Sequence, residues 1–207
     1  MKKCLPAACA RVLFEPMKTL IDRRTFAKTA ACASAGALLA ASAFAAAKEK
    51  KGKTMKLVLG ADSFAYGLKK AVAEHLKNRG VEVVDADNYS KAPYYEVAEA
   101  AAKTVASGGA DGAVLFCGSG AGMCIVANKV AGINAVAVES VFTAAKAKAI
   151  NNANVITMGA MVVGEVMACA MVDAWLDTKF AQGFEQIKDF LDKAYTAVSD
   201  IDRRNRK

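Results

Sequence analysis

Two spacings of apolar residues alternate along residues 55–207. Short, continuously or alternately apolar runs predict strands at 56–61, 81–85, 112–116, 134–138 and 155–158. Apolar residues three or four apart predict helices at 68–79, 94–107, 123–130, 141–150, 163–176 and 184–199. Strands that alternate with helices are typical of a parallel sheet with helices on both faces. We therefore expect an α/β fold, a Rossmann-like three-layer α/β/α sandwich with a five-stranded parallel sheet, in one domain.

The first 47 residues follow a different pattern. Arg23 and Arg24 precede an uncharged, Ala-rich run at 29–47 that ends in small residues, which is the order of a twin-arginine export signal. A membrane-spanning helix needs about 20 strongly apolar residues, and this run is mostly alanine, so a retained anchor is the alternative rather than the first choice. We expect a signal peptide at 1–47, a charged linker at 48–54 and a periplasmic protein without stable membrane insertion after cleavage.

Setting this segment aside changes the net charge. The full chain has a formal charge of +8, and residues 1–47 hold seven of its 28 basic and two of its 20 acidic side chains. The remaining 21 basic and 18 acidic side chains give only +3. The basic run at 203–207 is expected to be a solvated helix end. No strongly basic surface is left, so we expect no nucleic-acid partner.

Two reactive side chains follow predicted strands. Asp62 comes after the first strand and Cys117 after the third. Ligands of parallel α/β sheets bind at the carboxyl ends of the strands, near the switch in strand order, so both residues are candidates for one site. The alternatives are that Asp62 caps a helix and that Cys117 is a small buried side chain.

Three cysteines lie beyond residue 47, namely Cys117, Cys124 and Cys169. An odd number of cysteines in an oxidising compartment argues against a disulfide framework.

A glycine-rich loop follows Cys117. Gly118, Gly120 and Gly122 allow the backbone to approach a ligand, and amides at the start of the next helix point towards negative charge. This environment suits a phosphate or an enediolate oxygen, with Ser119 as an additional donor. The glycine spacing is G-x-G-x-G and differs from the G-x-G-x-x-G of dinucleotide sites.

Five motifs resemble the ribose-5-phosphate isomerase B and galactose-6-phosphate isomerase group of sugar-phosphate isomerases, over about residues 55–190. They are Gly60-x-Asp62 with Leu68-Lys69, Cys117-Gly118-Ser119-Gly120-x-Gly122, Ala127-Asn128-Lys129-x-x-Gly132-Ile133, Asn151-Asn152-x-Asn154-Val155 and Val172-Asp173-Ala174-Trp175-Leu176. The resemblance implies an aldose–ketose isomerase that works through a cis-enediolate, with no metal or organic cofactor. It also implies a homodimer or tetramer with the site at the subunit interface.

The resemblance also implies roles for individual residues. The Cys117 thiolate would move a proton between C1 and C2, Asp62 would relay the hydroxyl proton, and Ser119 with the loop amides would hold the enediolate oxygen. The substrate-binding candidates are Gly118, Gly120, Gly122, Asn151, Ser63 and Lys188.

This chain departs from the family pattern at the residues that open the sugar ring and bind phosphate. Ser63 and Ile150 stand where the family has histidines, Met161 stands where it has an arginine, and Phe184-Glu185 replaces Arg-His. Lys188 keeps a positive charge at the position of the last family arginine. The one histidine, His75, lies within a predicted helix, where we expect a surface side chain. A phosphate would therefore lose most of its charged partners.

Two functions remain open. One is an exported isomerase that acts on an altered substrate, such as an unphosphorylated sugar or a related hydroxy-carbonyl compound or acid. The other is an inactive relative that binds a sugar or small anion, because a fold does not determine a function. Other chemistry at Cys117, including redox chemistry, is a third possibility.

Overall fold

The computed structural model describes residues 54–88 and 91–206. The expected signal peptide at 1–47 and nearly all of the linker at 48–54 lie outside this part of the chain. Within the described residues, none of the helices is both long and apolar enough to cross a bilayer.

Strands and helices alternate along the chain. The strands are β1 (Lys56–Ala61), β2 (Glu82–Asp85), β3 (Gly112–Cys117), β4 (Ala135–Ala137) and β5 (Val155–Gly159). The helices are α1 (Tyr66–Asn78), α2 (Tyr94–Ala106), α3 (Ala121–Ala127), α4 (Val141–Ala149), α5 (Glu165–Asp177) and α6 (Lys188–Asn205), with a 3₁₀ turn at Glu185–Ile187 before α6. Each predicted strand and helix is present, with ends that differ by a few residues.

The five strands form one parallel sheet in the order β2-β1-β3-β5-β4, which confirms the predicted fold class. Side chains of successive strand residues point to opposite faces, so the central strands contribute to two cores. Leu57 and Phe116 pack on the face covered by α1, α4 and α5. Val58, Leu115 and Cys117 lie on the face covered by α2 and α3. The helices after β1 and β3 therefore leave to opposite faces, and a crevice opens between the ends of these neighbouring strands.

Two helices differ from their predicted bounds for identifiable reasons. α3 ends before Asn128, because the Asn128 side chain accepts from the amide of Ala135 and donates to its carbonyl, both at 2.8 Å. These bonds connect the end of α3 to the start of β4. α6 continues to Asn205, past the predicted end near residue 199. Arg206 donates to the carbonyls of Lys129 and Asn128, so the last turn of α6 is held against the end of α3.

His75 is partly buried rather than fully exposed. Its Nε2 lies 2.7 Å from the Oδ1 of Asp173, across the interface between α1 and α5. Arg79 binds the same carboxylate and also reaches Asp177, with 2.6 Å between its Nη2 and Oδ1. The histidine therefore helps to join two helices, which its position in a helix did not indicate.

Candidate active site

The structure places Asp62 and Cys117 next to each other at the carboxyl edge of the sheet. Ala61 pairs with Phe116 in the β1–β3 ladder, and the amide of Asp62 donates to the carbonyl of Phe116 at 3.2 Å. These two strands flank the crevice at the switch in strand order, where ligands bind in open α/β sheets. A carboxyl group and a thiol therefore belong to one crevice.

The Asp62 side chain does not cap a helix. Its Oδ1 accepts from the amide of Phe64 at 3.0 Å, and α1 begins after Ala65 without a side-chain cap. Burial raises the pKa of Asp62 from the ordinary value of a carboxyl group, and the bond from Phe64 offsets only part of this effect. The carboxyl group thus holds a proton more readily than an exposed aspartate, as suits a group that exchanges protons with a hydroxyl.

Cys117 ends β3 with its side chain buried, at 5% exposure. The amide of Gly120 donates to its Sγ at 3.1 Å, which gives the sulfur a donor that faces any negative charge on it. The other two described cysteines lie in helices, Cys124 in α3 and Cys169 in α5. Burial raises the pKa of Cys124 and of Cys169, and the thiol of Cys124 donates to the carbonyl of Ala135 at 3.3 Å.

The glycine loop lies directly on the end of β5. Gly120 has a left-handed backbone, with φ of +80°, and a Cβ there would lie 2.9 Å from the carbonyl carbon of Met158. A Cβ on Gly159 would lie 2.6 Å from the carbonyl carbon of Ser119. The buried hydroxyl of Thr157 donates to the carbonyl of Gly120 at 2.8 Å. Thr157 and Gly159 thus fix the loop, and their only sequence signals are a polar residue and a glycine in a buried strand.

Ser119 and Ser63 are both exposed at this edge. The Oγ of Ser119 accepts from the amide of Ala121 at 3.4 Å. A hydroxyl that accepts one bond still carries its own proton, which it can donate to a ligand oxygen. Ser63 directly follows Asp62 and carries a second exposed hydroxyl at this edge of the sheet.

Apolar side chains surround the glycine loop. Met161 is 75% exposed, and its Sδ and Cε lie 3.6 Å from the position that a Cβ on Gly118 would occupy. The ring of Tyr94 lies 2.9 Å from the corresponding position at Gly122. Phe64, in the loop after β1, and Phe142, in the first turn of α4, are 72% and 70% exposed. The glycine loop thus contacts a thioether and an aromatic ring, and Tyr94 is a contact that sequence reasoning missed.

Asn151 lies at the opposite edge of the sheet from Cys117. α4 runs back from the end of β4, and Asn151 follows its last turn, three residues before Asn154. Asn154 is level with the start of β3, because its carbonyl accepts from the amide of Ala113 at 3.1 Å. Cys117 is four residues further along β3, which at strand spacing is about 13 Å. One chain therefore does not bring Asn151 to Cys117.

Lys188 also lies away from the crevice. Its Nζ is 2.6 Å from the Oδ2 of Asp192 one turn along α6, and both side chains are exposed. Asp177, Phe180 and Glu185 line the same surface depression as Lys188.

The described residues contain no group of three or more His, Cys, Asp or Glu side chains placed to hold a metal ion.

Comparison with known proteins identifies relatives over the whole described domain. The Ribose/Galactose Isomerase family model matches residues 57–192. A 4-deoxy-4-sulfo-D-erythrose isomerase of a Clostridium species is 38% identical over 152 residues, which cover 72% of this chain and 96% of that protein. Ribose-5-P isomerase B of Listeria innocua is 36% identical over 154 residues, which cover 73% of this chain and all of the relative.

A solved structure shows the same fold. Ribose-5-phosphate isomerase B of Clostridium thermocellum aligns with a TM-score of 0.59 and 34% sequence identity. The alignment covers 68% of this chain and 99% of that protein. The strands that carry Asp62 and Cys117 are thus part of an architecture shared with a known isomerase.

Proposed function

We propose, since this chain belongs to the Ribose/Galactose Isomerase family, that it is an aldose–ketose isomerase that transfers a proton through a cis-enediolate. The observation that carries the proposal is the juxtaposition of Asp62 and Cys117 at the crevice between β1 and β3. A base and a proton relay at one strand edge are the groups that this reaction requires.

The proton moves in two linked transfers. The Cys117 thiolate removes the proton from the carbon beside the carbonyl group and returns it to the neighbouring carbon. Asp62 exchanges the proton of the substrate hydroxyl, and the raised pKa of its carboxyl group suits both accepting and donating that proton. Ser119 donates a hydrogen bond to the enediolate oxygen and keeps its own proton. The negative charge of the intermediate is thus met by donors already in place.

The substrate is proposed to lack a phosphate group. The relatives are named for substrates with a phosphate or sulfo group, and such groups are usually bound by guanidinium or ammonium side chains. Here Met161 contacts the glycine loop, and Lys188 already has a carboxylate partner in Asp192. An unphosphorylated sugar, or a related hydroxy-carbonyl compound, fits a glycine loop that is bordered by the apolar side chains of Met161 and Tyr94.

The complete site is proposed to form between two copies of the chain. Asn151 lies at the edge of the sheet opposite Cys117, so it reaches a substrate in this crevice only from a second copy. The exposed Phe64, Phe142 and Val166 lie in segments that follow the carboxyl ends of strands and provide an apolar surface for such contact. A homodimer is the smallest assembly that satisfies both observations, and a tetramer would also contain it.

Export by the twin-arginine route is a separate proposal, supported by Arg23-Arg24 and the Ala-rich run after them. The test is fractionation of cells that express the full chain, with Arg23→Lys/Arg24→Lys as the variant. We expect the native chain in the periplasm and the variant in the cytoplasm. Equal distribution of the two proteins would contradict the proposal.

The decisive test of catalysis is exchange of solvent deuterium. Purified protein is incubated in D₂O with a panel of free and phosphorylated sugars, and incorporation at C2 is followed by NMR. We expect exchange with at least one free sugar and a loss of about 10²–10⁴-fold in Cys117→Ala, the usual contribution of a positioned base. Cys124→Ala and Cys169→Ala are the matched controls. Unchanged exchange in Cys117→Ala would rule out the thiolate mechanism.

The proposed loss of the phosphate-binding site is tested by a separate variant. Met161→Arg places a guanidinium beside the glycine loop, and we expect it to increase turnover of phosphorylated sugars relative to free ones. Efficient turnover of ribose 5-phosphate by the native protein would contradict the proposed loss of the phosphate site.

The second candidate function is a sugar- or small-anion-binding protein without turnover. It is favoured by the lack of an imidazole at the crevice, because the one histidine of the chain is bound to Asp173 between α1 and α5. In that case a sugar should raise the melting temperature of both the native protein and Cys117→Ser, and neither should catalyse exchange.

A further inference from the structure

A carboxylate takes the place of a strand carbonyl at the end of β1. The β1–β2 ladder has Leu59 opposite Asp85 as its last pair, and the amide of Ala86 donates to the carbonyl of Leu59 at 2.8 Å. β1 continues to Ala61, two residues further. There the amide of Ala61 donates to the Oδ2 of Asp87 at 2.6 Å. The Asp87 side chain thus extends the ladder up to the residue before Asp62.

Lys69 holds this carboxylate in position. Its Nζ lies 2.7 Å from the Oδ1 of Asp87 and 2.9 Å from the Oδ1 of Asp85. Lys69 is 1% exposed and Asp87 is 5% exposed, so the ion pair is inside the protein. Burial alone would lower the pKa of Lys69, but the hydrogen bonds and the negative charges of Asp87 and Asp85 together outweigh burial and raise it. The Lys69 side chain therefore stays an ammonium group and remains in its ion pair with Asp87.

The chain segment that carries Asp62 is consequently held from two sides. The amide of Ala61 is bound to Asp87 on the β2 side, and the amide of Asp62 is bound to the carbonyl of Phe116 on the β3 side. Phe116 directly precedes Cys117. Loss of the Asp87 contact would free one side of this segment and leave Asp62 less well placed relative to the thiol.

We propose that Asp87, held by Lys69, is the positioning residue for Asp62. This inference rests on the proposed isomerase function for its catalytic consequence, and on the hydrogen bonds of Ala61 and Lys69 for its structural part. A buried ion pair adds little net stability compared with apolar residues of the same size, so stability alone is a weak reason for it to be there. An acceptor for the Ala61 amide that points in a fixed direction is something that apolar residues do not provide.

The native protein offers the first test, by amide hydrogen exchange. Ala61 lies beyond the last β1–β2 pair, where an amide without an acceptor on the β2 side would exchange quickly. If Asp87 extends the ladder, the Ala61 amide should exchange as slowly as that of Leu59 in the paired part of β1. Exchange at the rate of an unstructured peptide would overturn the proposal without any variant.

The second test uses Asp87→Asn. Ala61 and Lys69 bind different oxygens of the Asp87 carboxylate, and in the same orientation an asparagine presents an NH2 donor instead of an acceptor to one of them, so one of the two contacts is lost. We expect faster exchange at Ala61, and a pKa of Asp62, measured by ¹³C NMR of its carboxyl carbon, that moves back towards its ordinary value as the segment becomes better solvated. With a substrate found by deuterium exchange, kcat should fall by about 10-fold or more while KM changes by less than about 3-fold.

Asp173→Asn is the matched control, because it breaks an ion pair between α1 and α5 that does not contact β1. It should leave the Asp62 titration, kcat and KM as in the native protein. An unchanged Asp62 titration and kcat in folded Asp87→Asn would show that Asp87 is merely structural. If Asp87→Asn does not fold, the exchange rate of the Ala61 amide in the native protein still tests whether Asp87 binds this amide and so holds the segment that carries Asp62.

The two proposals fail separately. A native protein that exchanges no sugar would refute the isomerase function, while the Ala61 exchange rate and the Asp62 titration would still support or overturn the positioning role. Conversely, full kcat in folded Asp87→Asn would refute positioning and leave the isomerase function intact.

Discussion

The amide of Gly120 donates to the Sγ of Cys117 across 3.1 Å, and it does so from a left-handed backbone with φ of +80°. The direction of this amide depends on a conformation that side chains with a Cβ seldom adopt. It also depends on the close approach of the loop to Met158 and Gly159. The surroundings of the thiol are therefore set jointly by a glycine and by a neighbouring strand.

Gly120→Ala should be more destabilising than Gly132→Ala. Both glycines have left-handed backbones, with φ of +80° and +79°, so both substitutions carry about 1–2 kcal/mol of strain. A Cβ at Gly120 also meets backbone at 2.9 Å, whereas a Cβ at Gly132 meets nothing within 4 Å. The overlap should add about 1–3 kcal/mol for Gly120→Ala alone. Urea unfolding measures the difference, and equal losses would contradict the observed packing.

Lys69→Met should lower the free energy of unfolding by about 3–5 kcal/mol, because it leaves the buried Asp87 without its counter-charge. Lys103→Met is the control, since Lys103 pairs with Glu99 on the exposed face of α2 and its loss should cost less than about 1 kcal/mol. Both values come from denaturant unfolding at neutral pH. A small effect for Lys69→Met would mean that the Lys69 pair is not effectively desolvated.

Asp62→Asn should stabilise the protein at neutral pH. Burial raises the pKa of Asp62 above its ordinary value of 3.8, so the folded chain binds this proton more tightly than the unfolded chain. Ionisation of Asp62 therefore destabilises the fold as pH rises above about 4. The gain in Asp62→Asn should appear between pH 4 and 7 and stay below about 1 kcal/mol because solvent reaches the group. A stability difference that does not change with pH would contradict the burial effect.

Asp173→Asn should have the opposite pH dependence. Burial alone would raise the pKa of Asp173, but the hydrogen bonds and the positive charges of His75 and Arg79 together outweigh burial and lower it below 3.8. A lowered pKa contributes stability above the ordinary value and loses it as pH falls through the folded value. We expect Asp173→Asn to cost about 1 kcal/mol or less at pH 7 and to match the native protein once the pH is below the lowered pKa of Asp173. Thermal unfolding across this range, at low and high salt, provides the measurement.

The sequence by itself determined the elements and the location of the reactive pair. Apolar residues that recur every two positions indicate a strand, and apolar residues that recur every three or four positions indicate a helix. A regular alternation of strands and helices is typical of a parallel sheet. In such a sheet Asp62 and Cys117 must both lie at the carboxyl edge, because each directly follows a strand. The fold and the edge of the sheet that holds the crevice were thus predictable from local patterns alone.

The tertiary structure decided what those patterns do not contain. Strand order determined that β1 and β3 are neighbours, and hence that Asp62 and Cys117 share a crevice. The bonds of Asp87 to Ala61, Thr157 to Gly120 and His75 to Asp173 join residues 26, 37 and 98 positions apart. The direction of α4 placed Asn151 at the far edge, although the sequence motif had grouped it with the substrate-binding residues. The spacing of apolar residues along the chain indicates only whether each segment is a strand or a helix. These contacts depend on how separate strands and helices are brought together in space.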